Sequence, residues 1–219
     1  KGLFAVGEAS CWDLHGFNRL GGNSLAETVV MGMIVGKKIA EYALGATLEY
    51  TSDVVEDAAK QQQERIDGLI SGRHGREDVF QVRREMEETL MDYVGIFRTG
   101  PALQTAVDKL QVLHERAQHL GLRSSGVGAN PEVTAALRLP GMIRLALCIS
   151  YGALQRTESR GSHAREDFPK RDDANWLKRT LAYWPEGAVL PELKYEPVTI
   201  TELPPGDRGY GESSASSKK

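Results

Sequence analysis

Apolar positions between residues 24 and 45 fall at Leu25, Val29, Met33, Ile34 and Ala40, the three- and four-residue spacing of a helix face, and Gly45 stops the run. Four more segments carry the same period. Residues 52–70 open on Ser52-Asp53-Val54-Val55-Glu56, an N-cap serine with nearby acids, and end before Ser71-Gly72-Arg73-His74-Gly75. Residues 76–93 place Val79, Val82, Met86 and Leu90 on one face. After Gly100-Pro101, residues 102–120 do so with Leu103, Val107, Leu110 and either Leu113 or His114. Asn130-Pro131 opens the last helix, weakened at Gly141 and running to Leu154 or Gln155. Short connections between helices of this length predict a mainly α protein built on an antiparallel three- to four-helix bundle.

Outside the helical text the pattern changes twice. Leu3-Phe4-Ala5-Val6 is a short apolar run closed by Gly7, the look of a buried strand, and Glu8 to Asn23 is glycine-rich and irregular, so the chain opens strand, loop, helix. Gly32 and Gly36 sit one turn apart on that helix, each costing about 1 kcal/mol relative to alanine, and close backbone packing would compensate. Residues 158–173 are dense in charge; residues 175–184 are a short apolar-spaced segment, and Val198-Thr199-Ile200 a strand candidate. The serine- and lysine-rich end, residues 211–219, reads as a disordered tail.

Composition narrows the function classes. The 219 residues carry 27 Lys+Arg against 30 Asp+Glu, a formal charge of −3, which offers no electrostatic footprint for nucleic acid. Cys11 and Cys148 form no CxxC pair and no disulfide framework, which favours a reducing compartment, and both are expected as ordinary buried or half-buried thiols. No uninterrupted apolar run approaches the roughly 20 residues that span a bilayer. The opening Lys1 to Gly7 lacks the apolar core and cleavage site of a signal peptide, so direct membrane insertion is not expected.

Candidate chemistry concentrates before and at the first helix: Gly7-Glu8, then His15-Gly16-Phe17-Asn18-Arg19-Leu20-Gly21-Gly22-Asn23-Ser24-Leu25. The free N–H groups and positive dipole end of a helix start attract negative charge, and glycines let backbone approach a ligand closely. Arg19 in that loop could clamp a carboxylate through two parallel hydrogen bonds. On spacing alone, a plain strand-to-helix turn with a solvated arginine explains it equally well. His114 and His119, five apart on a helix, point in different directions and share no metal locally.

The string from Gly2 to Glu8 and that from His15 to Leu25 resemble the flavoprotein subunit of succinate dehydrogenases and fumarate reductases. Glu158-Ser159-Arg160-Gly161-Ser162-His163-Ala164-Arg165-Glu166-Asp167, followed by Arg171-Asp172-Asp173 and Trp176-Leu177, resembles the same family's C-terminal region. Cys11-Trp12-Asp13 and Phe17 lean toward the fumarate reductases of anaerobic bacteria. The resemblance implies that Glu8 hydrogen-bonds FAD hydroxyls, that Ser24 and Leu25 meet the flavin ring near its pyrimidine edge, and that Arg19 grips one carboxylate of succinate or fumarate. Asn23 joins the cofactor-binding set, with Asn18, Gly21 and Gly22 shaping the loop and His15 a motif member. By family position His163 is expected to tie the C-terminal segment to the flavin domain; Arg171-Asp172-Asp173 reads equally well as pairing with Arg165 and His163 or as a solvated loop.

The sequence holds no GxGxxG after a strand, because Gly126-Val127-Gly128-Ala129-Asn130-Pro131 only precedes a proline-started helix. The resemblance therefore implies the C-terminal portion of a larger subunit, with residues 1–48 a piece of an FAD-binding α/β domain, residues 49–156 the helical bundle, residues 157–210 an irregular segment and residues 211–219 the tail. No catalytic residue and no metal site are expected in this portion, and the isolated chain is expected to be inactive. The resemblance also implies an iron–sulfur partner subunit and, through it, a membrane anchor; two cysteines are too few to hold a cluster in this chain itself. The parent complex would lie on the cytoplasmic side, peripheral to the inner membrane. Competing readings are an inactive helical docking module, L-aspartate oxidase and adenylylsulfate reductase.

Overall fold

The computed structural model describes residues 2–10, 15–47, 52–71, 75–124, 128–200 and 205–206, and it is mostly helical. Cys11 and the expected tail at 211–219 lie outside the described residues. The helices are α1 (Asn23–Gly45), α2 (Ser52–Ile70), α3 (Val79–Thr89), α4 (Gly100–Arg116), α5 (Pro131–Gln155) and the single turn α6 (Asp173–Trp176). Strands are short: β1 (Glu77–Asp78), β2 (Phe97–Arg98), β3 (Leu120–Gly121), β4 (Ala164–Arg165), β5 (Lys178–Tyr183) and β6 (Glu192–Pro197).

The helix ends follow local chemistry. Asp78 caps α3 by accepting from the amides of Phe80 and Gln81, each at 2.9 Å. Thr99 caps α4, with Pro101 in its first turn, and the Asn130 side chain accepts from the Glu132 amide at 3.0 Å to start α5. After Thr89 the helix widens into one π turn, Leu90–Val94, closed by the Gly95 amide on the Leu90 carbonyl at 2.9 Å.

The core lies where α3, α4 and α5 meet, with the end of α2 against α5. Leu103, Leu110, Leu139, Ile143 and Leu147 are completely or almost completely shielded from solvent. α5 is long and apolar enough to cross a membrane by length and composition, with a mean hydropathy of 1.4 over its most apolar window. It nevertheless supplies Leu139, Ile143 and Leu147 to this core, the behaviour of a packing helix.

Several sequence expectations are corrected. Leu3 to Val6 is not a strand, because no described strand lies beside it to complete a ladder, and Leu3 is 96% exposed. The strand-loop-helix opening is thus a single 3-10 turn, Gly7–Ser10, a loop and α1. α1 buries only Glu27, and a Cβ at Gly32 or Gly36 would meet nothing within 4 Å, so neither glycine packs closely against any described residue. The segment 157–210 is not wholly irregular: β5 and β6 form an antiparallel hairpin, Lys178 opposite Pro197 through Tyr183 opposite Glu192. The ladder ends at Pro197; beyond it the Val198 amide still reaches the Leu177 carbonyl at 3.4 Å, but Val198 to Ile200 is not a strand.

Two parallel pairings that nothing local announces tie distant segments together. β1 pairs with β3, and β2 pairs with β4 in the register Phe97 to Ala164 and Arg98 to Arg165. The second pairing sets Arg165 beside Arg98, which reaches both the π turn and Phe17 of the glycine-rich loop.

Candidate functional site

Glu8 sits on the 3-10 turn, which is held against α1 at Gly7. Gly7 has φ 66°, and an added Cβ would stand 3.0 Å from the Thr28 hydroxyl, so only glycine lets the turn approach the helix this closely. The Ser24 hydroxyl donates to Glu8 Oε1, and Arg19 Nε lies 3.5 Å from the same oxygen. The Ser24 hydrogen bond first, and Arg19 second, hold the Glu8 carboxyl below the usual carboxylate range. Ser24 was expected to open the helix; instead α1 begins at Asn23, with Gly22 at φ 80° as N-cap and no side chain capping the start, so the serine is released to Glu8.

Three of the five expected site residues therefore come together, with Arg19 and Ser24 both on the Glu8 carboxylate. Asn23 gives its backbone amide to the Leu20 carbonyl at 3.2 Å, and Leu25 projects from the first turn 77% exposed. Gly16, Gly21 and Gly22 have open space where a Cβ would stand, which leaves a cradle beside uncapped helix amides and an ionised carboxylate. That donor set fits a flavin: the helix start suits negative charge on the ring and Glu8 suits sugar-chain hydroxyls.

The loop is anchored by His15 and Phe17, on two residues the sequence did not single out, Glu27 and Arg98. His15 Nε2 meets Glu27 Oε2 at 2.8 Å, with the Glu27 side chain 4% exposed. The Phe17 ring lies over the Arg98 guanidinium, 4.2 Å from centroid to Cζ, and its centroid is 6.3 Å from that of His163. Arg98 donates from Nε to the Val94 carbonyl at 2.7 Å and from Nη2 to the Gly95 carbonyl at 3.2 Å, satisfying oxygens freed by the π turn.

Arg98 Nη1 also stands 2.9 Å from His163 Nδ1. An arginine can only donate, so Nδ1 accepts, and the ring's Nε2–H donates to the Arg156 carbonyl at 3.3 Å. Burial, with the charges of Arg98, Arg156 and Arg165, pushes His163 down to about 4, so the imidazole is neutral near pH 7.

Around it the C-terminal charges are paired. Glu158, with no exposed surface, accepts from Arg156 and Arg160, each at 2.8 Å, and from the Asp172 amide at 2.8 Å. Arg165 donates to the carbonyls of Ala153 and Leu154, both at 2.9 Å, closing the C-terminus of α5. It also pairs with Asp167, whose carboxyl is held down to about 2 by Arg165 and by the Gly100 amide. Of the two readings of Arg171-Asp172-Asp173, the run does pair, but through other partners than Arg165 and His163: Asp173 takes Arg160 at 2.7 Å and Arg171 at 3.0 Å.

His114 packs edge-on against Trp184 at 5.4 Å, and Cys148 is half-buried with its thiol pushed up by burial.

The family described as "Fumarate reductase flavoprotein C-term" matches residues 83–210, and the family described as "FAD binding domain" matches residues 1–25. The fumarate reductase flavoprotein subunit of Helicobacter pylori is 47% identical over 96% of this chain and 30% of its own length. That of Mycobacterium tuberculosis is 41% identical over 96% of the chain and 36% of its own length. A solved mutant of E. coli quinol fumarate reductase FrdA superposes with a TM-score of 0.86 at 37% identity, covering 94% of this chain and 35% of that one. An adenylylsulfate reductase of Archaeoglobus fulgidus, at 17% identity and TM-score 0.62, shares the fold alone. The chain thus spans about a third of the length of these fumarate reductase relatives. With its larger part matched from the π turn's helix onward, this chain belongs to the fumarate reductase flavoprotein C-terminal family.

Proposed function

We propose that the chain is the C-terminal portion of the flavoprotein subunit of a fumarate reductase or succinate dehydrogenase, interconverting fumarate and succinate with FAD. The observation that carries this reading is the contact of Glu8, Arg19 and Ser24 beside an uncapped helix start. Bound FAD supplies the two-electron chemistry. Glu8, ionised, accepts hydrogen bonds from cofactor hydroxyls, while Ser24, Leu25 and Asn23 present the helix start to the flavin ring, where the dipole favours negative charge. Arg19 engages Glu8 only through Nε, and its Nη pair is the fork that grips a substrate carboxylate and fixes the dicarboxylate's orientation.

Residues 1–48 belong in this reading to the FAD-binding domain, residues 49–156 to an antiparallel three- to four-helix bundle and residues 157–210 to the segment that closes the bundle against the loop. An iron–sulfur subunit carries electrons to or from the flavin, with a membrane anchor beyond it and the complex on the cytoplasmic face of the inner membrane. An active parent with an inactive isolated chain also accommodates the docking-module reading.

The test is a substrate panel on the full-length, FAD-loaded protein. Turnover of fumarate with a reduced dye, and none of L-aspartate or adenylylsulfate, is the expected result. Turnover of either of the latter in place of fumarate overturns the assignment.

A further inference from the structure

We propose that Phe17 is a positioning residue: its ring, stacked on the fixed Arg98 guanidinium, holds the loop so that Arg19 presents its fork in one orientation. The inference rests on the reading of Arg19 above. The loop from His15 to Leu20 has no regular structure, and Phe17 to Leu20 are exposed, so its conformation depends on what anchors it. Two anchors, His15 on Glu27 and Arg19 on Glu8, stay within the first 47 residues. Phe17 supplies the third, reaching the helical unit only two residues before Arg19, with Gly16 at φ 60° turning the chain between the first and third anchors.

Arg98 is built to be a rigid platform. Its Nε, Nη1 and Nη2 are spent on the Val94 carbonyl, His163 and the Gly95 carbonyl, and β2–β4 pairing fixes its backbone, so what it offers Phe17 is the flat face of the guanidinium. Phe17 itself is half exposed, so its ring is not filling a core; among the described residues its ring meets Arg98 and His163. A cation desolvated against an aromatic face is held more strongly than one in water. Losing that hold lets the loop shift, and a misplacement of about 1 Å at a substrate-orienting group costs on the order of 100-fold in rate.

The experiment compares Phe17→Tyr, Phe17→Leu and Phe17→Ala in the full-length, FAD-loaded protein, reading kcat and KM for fumarate, flavin content and unfolding midpoint. Phe17→Tyr keeps the ring face and retains wild-type turnover. Phe17→Leu and Phe17→Ala lose about tenfold in kcat, with flavin content and midpoint unchanged. Wild-type kcat in Phe17→Leu or Phe17→Ala, or a loss that simply follows lost flavin or a lowered midpoint, overturns the inference. Arg19→Lys separates the two levels: if it is inactive while Phe17→Ala is normal, only the inference fails, and if both are normal, the reading of the site fails with it.

Discussion

α1 and α5 are of similar length, 23 and 25 residues, and both are apolar, but they live in different surroundings. α5 buries Leu139, Ile143 and Leu147 between α3 and α4, whereas α1 leaves Val29, Met33 and Ile34 more than half exposed and buries one residue, Glu27. The charges divide the same way. Glu158 is wholly enclosed by Arg156, Arg160 and a backbone amide, while Glu8 stands in solvent with its Ser24 and Arg19 partners. Within this chain the helical unit carries its own core, whereas α1 leaves an apolar face open and Glu8 keeps its polar partners in solvent, so a substitution should be felt in different observables in the two regions.

The sharpest test of that division is Glu158→Ala. Removing the enclosed carboxylate takes the shared partner from Arg156 and Arg160, of which Arg160 keeps Asp173, and should cost about 3–5 kcal/mol in urea unfolding of the chain. Glu8→Gln should leave the unfolding midpoint in place. Leu147→Ala comes next, about 3 kcal/mol for a fully buried leucine between helices. Met33→Ala on the open face of α1 should stay within about 0.5 kcal/mol in the same assay. Equal losses at Leu147 and Met33 would break the comparison.

Acid provides a smaller and graded effect. His163 has an ordinary value of 6.5 and a folded value of about 4, so above pH 6.5 it is neutral in both states and its contribution is complete. As pH falls from 6.5 toward 4 the unfolded chain binds a proton the folded chain does not, and up to ~3 kcal/mol is lost. Asp167 adds a loss of the same sign at lower pH, between 3.8 and about 2. A thermal midpoint followed over pH 7 to 4 should fall, and His163→Gln should flatten that slope. A flat wild-type profile would contradict the buried, neutral imidazole.

How much of this was legible depends on the range of the interaction. The helices were, because Leu103, Val107 and Leu110 on one face and caps such as Asn130-Pro131 are written within one or two turns. Glu8, Arg19 and Ser24 were singled out by the resemblance of the strings from Gly2 to Glu8 and from His15 to Leu25, because glycines and spacing alone fit a plain turn with a solvated arginine equally well. The strand expected at Leu3 to Val6 failed because a strand needs a neighbour, which no local pattern supplies. The hairpin of β5 and β6 was hidden by its exposed charges, Arg179, Glu192, Lys194 and Glu196, and by a connection much longer than a two-residue turn. Arg98 and His163 are 65 positions apart, and the π turn that turns Arg98 inward has no sequence signature of its own. A lone acid between arginines, Arg156-Thr157-Glu158-Ser159-Arg160, was the one available hint of a buried charge cluster.

The most direct measurement is steady-state fumarate reduction by the full-length protein carrying Arg19→Lys, with flavin absorbance and unfolding midpoint read on the same preparation. Lysine keeps the charge but not the two-pronged fork. The account predicts turnover lower by about two orders of magnitude with flavin and midpoint retained. Wild-type kcat and KM would contradict it and leave Arg19 a solvated loop residue beside Glu8.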